Sequence, residues 1–214
     1  MDEYLNEQKQ WDLVRHWLRQ NGIWVVAGVA LVAGGVWGYK AWQARQETQL
    51  LQAAAQYGQV VAAFSKNDLA TVTTLADQLS AQHPRTGYAE QAQLAVARLQ
   101  VENKQIPAAL ERMQKVVGVT ADAELALLVR LRIARLQIEL GKADEALSTL
   151  AGATPGAFAA RYAEVRGDAL LVKGDRPGAL KAYREAQSAL AGGSGSAAPA
   201  GDLLTLKINE LTSS

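Results

Sequence analysis

The sequence contains no cysteine and only two histidines, and these shortages remove several kinds of chemistry. Without cysteine the chain forms no disulfide, holds no zinc finger and offers no thiol nucleophile. His16 and His83 lie far apart in the sequence, and no pair of carboxylates frames either of them. The sequence also lacks the short motifs of serine hydrolases, zinc proteases and phosphate-binding loops. We therefore expect a protein that is not an enzyme and needs no metal or cofactor.

The chain also lacks an excess of charge of either sign, with 22 Lys and Arg against 21 Asp and Glu. Binding to a phosphate backbone needs a basic excess on one face, so nucleic acid is not an expected partner. Aromatic residues make up only 6% of the chain, and all five tryptophans lie within the first 42 residues. This shift in composition separates an unusual head from a body rich in Ala, Leu, Gln and Arg.

The head contains a run of twenty residues without a formal charge, between Arg19 and Lys40. A helix of this length rises ~30 Å, which matches the hydrocarbon core of a lipid bilayer. Trp24 lies near one end and Trp37 near the other, as expected of side chains at membrane interfaces. The preceding segment is too long and too acidic for a signal peptide. We predict that residues 21–42 form a retained transmembrane helix.

Two features of the head allow alternative interpretations. Ala30, Gly34 and Gly38 follow one another at intervals of four, which favours close contact with another membrane helix. Glycine is also common in transmembrane helices without such a role. Residues 1–20 carry a short amphipathic pattern, which suits the cytoplasmic membrane interface, a partner protein or a simple juxtamembrane anchor.

The distribution of basic residues gives a weak indication of orientation. Three basic residues precede the apolar run (Lys9, Arg15 and Arg19), and two follow it closely (Lys40 and Arg45). The excess favours a cytoplasmic N-terminus, but large C-terminal domains cross membranes largely regardless of charge. Both orientations remain open on this count alone.

The body is helical and repetitive. Apolar residues from Leu50 to Phe64 recur at intervals of three and four, as on the core face of a first helix. A second helix is predicted over 69–81, with Asn67 or Asp68 as its N-cap. The residues of the first apolar face are Leu50, Ala54, Tyr57, Val61 and Phe64.

An internal repeat dominates the rest of the chain. "VARLQVENKQIPAAL" (96–110) aligns with "IARLQIELGKADEAL" (133–147) at a shift of 37, and "VRGDALLVKGDRPGAL" (165–180) follows at a shift of 33. Each copy reads as a long helix, a tight turn and a shorter helix. The predicted turn residues are Asn103, Gly141 and Gly174, and the small residues at the helix crossing are Ala109, Ala146 and Ala179.

A period of about 34 residues with small residues at the crossing is typical of tetratricopeptide repeats (TPRs). Repeats of this kind bury their apolar faces only by stacking, and the array needs a terminal cap. "LLTLKINEL" after Asp202 supplies a capping helix, and residues 191–201 read as a flexible linker. We predict an all-α protein, in which one N-terminal transmembrane helix precedes a TPR-like superhelix with a C-terminal capping helix.

Two of the repeats place an arginine four residues before a glutamate, as in Arg98 with Glu102 and Arg135 with Glu139. One interpretation is an exposed ion pair that contributes a few tenths of a kcal/mol. The other is that the first helices of the repeats line a concave groove that contacts a peptide. The candidate groove residues are Arg98, Arg130, Arg132 and Arg135.

Several stretches, taken in order, resemble the YfgM-type family of ancillary subunits of the bacterial SecYEG translocon. They include Tyr4 in an acidic start, Asn21-Gly22 at the entry to the apolar run, "RGDALLVKGD" and the closing "LKINEL". The second helix of that third repeat adds Ala179, Ala182, Tyr183 and Ala186. The resemblance extends from Tyr4 to Leu211, and the "GGSGSAAPAG" linker departs from it.

The resemblance implies a single-pass protein of the bacterial inner membrane. Residues 1–20 would be cytoplasmic, 21–42 would span the lipid bilayer, and 43–214 would form a periplasmic TPR-like domain. Expected partners are the SecYEG translocon, a PpiD-like periplasmic chaperone and emerging secreted polypeptides. Two other functions stay open, namely a cytoplasm-facing adaptor or assembly factor and a self-assembling scaffold.

Overall fold

The computed structural model describes residues 3–84, 86–191 and 198–213, and every regular element in these ranges is helical. The chain divides into an N-terminal unit, Met1–Gln52, and a C-terminal unit, Ala53–Ser214. The helices are α1 (Glu3–Phe64), α2 (Leu69–Gln82), α3 (Gly87–Glu102), α4 (Ile106–Val119), α5 (Ala123–Glu139), α6 (Ala143–Ala151), α7 (Ala159–Val172), α8 (Arg176–Ala191) and α9 (Ala198–Thr212), with a short 3-10 turn (Gly156–Phe158) before α7. The prediction of an all-α protein is confirmed.

The N-terminal unit consists of the first part of α1. Its apolar region has a mean hydropathy of 1.6 and buries none of its most apolar window, so it is a candidate membrane span by length and composition. Trp24 and Trp37 are 75% and 78% exposed, as expected if they face lipid or its interface. The amphipathic pattern of residues 1–20 rests on Trp11, Val14 and Leu18, whose side chains lie outside what the structure describes.

The C-terminal unit contains four helical hairpins, and in each of them the same kind of turn joins the two helices. In each hairpin the first helix closes on a residue in the left-handed region, and the next residue donates its N–H to the carbonyl five positions back. This hydrogen bond is the mark of a Schellman motif. The left-handed residues are Asn67 (φ 57°), Lys104 (φ 60°), Gly141 (φ 73°) and Gly174 (φ 83°).

The structure corrects one predicted turn residue. Asn103 has φ −88°, and its neighbour Lys104 takes the left-handed conformation instead. Lys104 is the residue that aligns with Gly141 at the shift of 37, so the repeat itself places the turn correctly. The prediction of Asn103 was wrong. It relied on the fact that asparagine tolerates positive φ better than lysine does.

The first hairpin pairs the end of α1 with α2. The N-cap of α2 is Asp68 rather than Asn67. The Asp68 side chain accepts a hydrogen bond from the Thr71 backbone N–H at 3.1 Å and from its hydroxyl at 2.6 Å. The two alternatives for this cap are thereby resolved.

The small residues predicted at the helix crossings are fully buried. Ala109, Ala146 and Ala179 each have no exposed surface, and Val72 is equally buried in the first hairpin. Because the buried residues form clusters that each bridge successive helices, every hairpin buries its apolar face against the next.

Helix α9 caps the array on the side of α7 and α8. Leu204 is buried, and Ile208 and Leu211 pack partly buried beside it, as their predicted spacing requires. Residues 198–201 are helical rather than part of a linker, because α9 begins at Ala198. Residues 192–197 of the predicted linker lie outside the described ranges.

Candidate functional site

A groove of about 810 Å³ lies among the first helices of the first three hairpins, α1, α3 and α5. We call it the first-helix groove. One residue of α4, Met113, also contributes to its wall. The lining residues are Tyr57, Val61, Phe64, Gln91, Leu94, Ala95, Arg98, Val101, Glu102, Met113, Arg132, Arg135 and Leu136.

The wall supplied by α1 is apolar. Tyr57 and Phe64 are half-buried there, while Val61 is 47% exposed. Tyr57 is held in place by the ring of Tyr88, whose centroid lies 5.7 Å away. This wall therefore presents accessible apolar surface whose burial by a partner is favourable, at about 25 cal/mol for each Å².

Sequence reasoning assigned Tyr57, Val61 and Phe64 to the core face of a first helix. The structure packs Tyr57 and Phe64 against the first core cluster and at the same time exposes part of them to the groove. The spacing of three and four identifies a helical face, but it does not say whether another helix covers all of that face.

Arg98 lies on α3 between the apolar wall and a carboxylate. Its Nε donates a hydrogen bond to Glu102 Oε1 at 2.9 Å, and its guanidinium carbon lies 5.4 Å from the centroid of the Phe64 ring. Both charged side chains are largely exposed, so the pair contributes only a few tenths of a kcal/mol to stability. The pair also holds the Arg98 guanidinium at the edge of the apolar wall.

Arg132 and Arg135 lie three residues apart on α5, and both are exposed along the groove. The ion pair suggested between Arg135 and Glu139 does not form, and neither arginine makes an ion pair with any residue the structure describes. The groove therefore contains two guanidinium groups with no acidic partner within the described chain.

Arg130 does not line this groove. It is half-buried, and its Nη1 lies 3.5 Å from where a Cβ on Gly152 would be. Two residues advance an α-helix by about 200°, so Arg130 and Arg132 project from opposite sides of α5. The four arginines are therefore not one set, since only Arg98, Arg132 and Arg135 line the groove.

The small residues of the apolar segment remain accessible on α1. An added Cβ at Gly34 or Gly38 would meet nothing within 4 Å, and Ala30 is exposed as well. Their role as a helix contact stays a prediction.

A polar network joins α2, α3 and α4 away from the groove. Gln93 Nε2 donates to Asp77 Oδ1 at 3.0 Å, and Arg112 Nη1 donates to the same oxygen at 2.7 Å. Partial burial alone would raise the pKa of Asp77, but hydrogen bonds from Arg112 and Gln93 outweigh it and lower the pKa. The network fastens neighbouring hairpins, and sequence reasoning missed it because its members lie 16 and 35 residues apart.

Within the described residues, no group of three or more His, Cys, Asp or Glu side chains is placed to hold a metal ion. His83 lies at the C-cap of α2, where its backbone N–H bonds to the Leu79 carbonyl. The site chemistry seen here is apolar contact with cationic side chains beside it, which suits binding to a polypeptide.

Comparison with known proteins agrees with this architecture. A family model described as a tetratricopeptide repeat-like domain matches residues 15–213. A protein of Escherichia coli K12, named ancillary SecYEG translocon subunit, is 32% identical over 213 residues, covering 99% of this chain and 100% of its own length. A protein of Haemophilus influenzae with the same name is 30% identical, covering 86% of this chain and 89% of its own length.

A more distant relative from Neisseria gonorrhoeae, again named ancillary SecYEG translocon subunit, is 26% identical over 87% of this chain and 90% of its own length. The family model and the Escherichia coli relative both cover the apolar N-terminal region as well as the repeats. A candidate membrane span, a stacked helical-repeat domain and near full-length similarity all agree with the YfgM-type resemblance drawn from the sequence. The chain belongs to the family of ancillary SecYEG translocon subunits, a non-catalytic kind of protein with a tetratricopeptide repeat-like domain.

Proposed function

We propose that this chain is a non-catalytic, membrane-anchored TPR protein that associates with the SecYEG translocon and assists the handling of secreted proteins. The observation that carries the proposal is the first-helix groove, an accessible apolar surface with cations beside it, in a chain with a candidate membrane span. The name of the Escherichia coli relative, which matches 99% of this chain, supports SecYEG as the partner.

The proposed topology places the N-terminus in the cytoplasm, residues 21–42 in the inner membrane and the repeat domain, within 43–214, in the periplasm. The excess of basic residues before the apolar run supports this orientation. Because the anchor confines the repeat domain to the membrane surface, it raises the local concentration of the groove near the channel exit without any additional contact.

The groove is the surface proposed to contact polypeptides, through Arg98, Arg132 and Arg135 and the apolar wall of α1. The proposed partners on the periplasmic side are secreted polypeptides as they emerge and a PpiD-like chaperone. The apolar wall supports this role because emerging chains still expose side chains that they later bury.

The orientation is tested with alkaline phosphatase, which is active only in the periplasm. A C-terminal fusion should be active and an N-terminal fusion inactive. The reverse result would support the cytoplasm-facing adaptor and reject a periplasmic function.

Association with the channel is tested by isolating the full-length chain from membranes in mild detergent and measuring the SecYEG subunits that accompany it. SecYEG should be enriched over an unrelated single-span protein expressed at the same level. Equal amounts in both samples would reject the translocon assignment.

The accessible faces of Ala30, Gly34 and Gly38 favour a second contact within the lipid, either with a partner or with another copy. Replacing both Gly34 and Gly38 by leucine adds bulk where helix backbones would approach each other. A self-assembling scaffold should lose its oligomers in detergent on this change, whereas an unchanged mass rules that function out.

A further inference from the structure

Resting on the proposed function, we propose that the first-helix groove binds a linear polypeptide segment whose apolar side chains are flanked by carboxylates. The family likeness gives no information on the chemistry of this occupant. Two features of the groove indicate it, namely its charge and the distribution of apolar surface across it.

The groove has unbalanced charge. Its lining contains three guanidinium groups (Arg98, Arg132 and Arg135) against one carboxylate, Glu102. That carboxylate already accepts the hydrogen bond from Arg98, so Arg132 and Arg135 have no acidic partner within the described chain. Residues 53–64 of α1 contain no charged residue that would change this balance. A guanidinium fork matches a carboxylate in geometry as well as in charge, and an approaching lysine would be repelled.

The apolar side chains of α1 and the guanidinium groups of α5 lie on different walls, and α3 adds both kinds of surface. The α1 wall presents Tyr57, Val61 and Phe64, whereas the two unpaired arginines belong to α5. A segment bound between them would direct apolar side chains toward α1 and its carboxylates toward α5. Arg98 lies beside the Phe64 ring and extends the cationic edge along α3.

The shape of the groove favours a linear segment over a folded surface. It is an open concavity of about 810 Å³ lined mainly by the first helices of three successive hairpins. Such a concavity buries a chain that enters it, whereas the flat face of a folded domain would leave the Val61 surface in water. Burial of that apolar surface supplies affinity, and the arginines supply selectivity.

The inference is tested with three fluorescent peptides that share one apolar core and differ only in their flanks, which carry Glu, Gln or Lys. Binding is measured by anisotropy to the full chain in phosphatidylcholine nanodiscs, with empty nanodiscs subtracted. The Glu peptide should bind about 3- to 10-fold more tightly than the Gln peptide, and the Lys peptide should bind most weakly. Raising the salt concentration should reduce the difference, because exposed charges are screened.

Matched variants assign the preference to the groove. Arg132→Gln with Arg135→Gln should abolish the preference for the Glu peptide over the Gln peptide. Arg161→Gln with Arg184→Gln removes the same charge from exposed positions outside the groove and should keep the preference. Val61→Ser should weaken the binding of all three peptides by the same factor.

Three results would overturn the inference: no binding of any peptide, a Lys peptide that binds as well as the Glu peptide, or equal loss of preference in both double variants. A lower oligomeric mass for the Arg132→Gln, Arg135→Gln variant would also overturn it, because a second copy would then be the occupant. Co-isolation with SecYEG is a separate measurement. If SecYEG is co-isolated but the peptide preference is absent, only this inference is rejected. If SecYEG is not co-isolated but the peptides bind as expected, the proposed function is rejected.

Discussion

At the scale of single residues, the repeat is clearest at the turns that join the two helices of each hairpin. Four equivalent positions take a left-handed conformation, and only two of them, Gly141 and Gly174, are glycine. Lys104 adopts φ 60° with a Cβ, which is unfavourable for an L-residue by roughly 1–2 kcal/mol. The turn is imposed on Lys104 by the packing of its hairpin.

Replacing Lys104 by glycine should therefore stabilise the protein by roughly 0.5–1 kcal/mol, after the larger chain entropy of glycine in the unfolded state is deducted. Urea unfolding of the full chain in detergent micelles, followed by circular dichroism, measures the change. The matched substitution Gly174→Ala should destabilise by a similar amount, since it creates the same strain. A loss of stability in Lys104→Gly would show that the side chain matters more than its backbone conformation.

A second prediction concerns Tyr183, whose hydroxyl donates a hydrogen bond to Asp168 Oδ1 at 2.8 Å. Burial, and then this bond to a carboxylate, raise the pKa of Tyr183 well above its ordinary value of 10.0. The folded state thus holds the phenolic proton more tightly than the unfolded state does. The resulting stability is fully present below about pH 10 and is lost as the pH rises through the folded-state pKa.

Lys207 adds to the same alkaline dependence. Burial alone would lower its pKa, but hydrogen bonds to Asp168 and Glu164 outweigh burial and raise the pKa above its ordinary value of 10.5. Urea unfolding at pH 8 and pH 11 should show a loss of stability in the unmodified chain and a smaller loss in Tyr183→Phe. An equal loss in both proteins would contradict the role given to the Tyr183 hydroxyl.

Residue identity alone predicted the turns at Gly141 and Gly174 and the crossings at the three alanines, because both depend on local chemistry. It did not separate Arg130 from Arg132. That distinction depends on how α5 is rotated within the stack, which is set by packing partners distant in sequence.

At the scale of elements, the capping helix depends on one buried side chain. Leu204 is 1% exposed among Ala163, Ala179, Tyr183 and Ala186. Lys207 also holds α9 to α7, because its Nζ donates a hydrogen bond to Glu164 Oε1 at 2.9 Å. Since a terminal repeat needs its apolar face covered, α9 should contribute to the stability of the whole array.

Leu204→Ala should destabilise the protein by about 2–4 kcal/mol, because it removes buried methyl groups and leaves a cavity. Leu206→Ala serves as the control, since Leu206 is 66% exposed in the same helix and should change stability by less than about 0.5 kcal/mol. Hydrogen–deuterium exchange should show faster exchange in α8 and α9 for Leu204→Ala alone. Equal effects of the two substitutions would mean that α9 does not act as a cap.

Element boundaries show where sequence patterns stop being sufficient. The spacing of Leu204, Ile208 and Leu211 predicted the buried face of α9, but the helix begins at Ala198, within the stretch read as a linker. Glycine, serine and alanine in that stretch indicate a linker by composition. Composition does not register that a helix docked by Leu204 extends backward to Ala198, nor that Pro199 is tolerated there because it lies in the first turn of the helix.

At the scale of the whole molecule, similarity to known proteins and the sequence agree on the class of protein, and the structure adds a surface. The stacked repeats were predictable, because a helix-turn-helix period of about 34 residues is specific to this kind of array. The groove was predictable only in part. Arg98 and Arg135 were identified from repeated positions and Arg132 was named beside them, whereas the apolar wall belongs to a helix whose pattern reads as ordinary core.

The central claim is that the first-helix groove is the surface through which this membrane-anchored chain contacts polypeptides at the translocon. The most direct measurement is photo-crosslinking in intact membranes from Val61 in the groove, with Leu206 on the exposed face of α9 as the matched control. The account predicts that Val61 captures secreted polypeptides or translocon-associated partners and that Leu206 captures far less. Equal capture from both positions, or none from Val61, would contradict it.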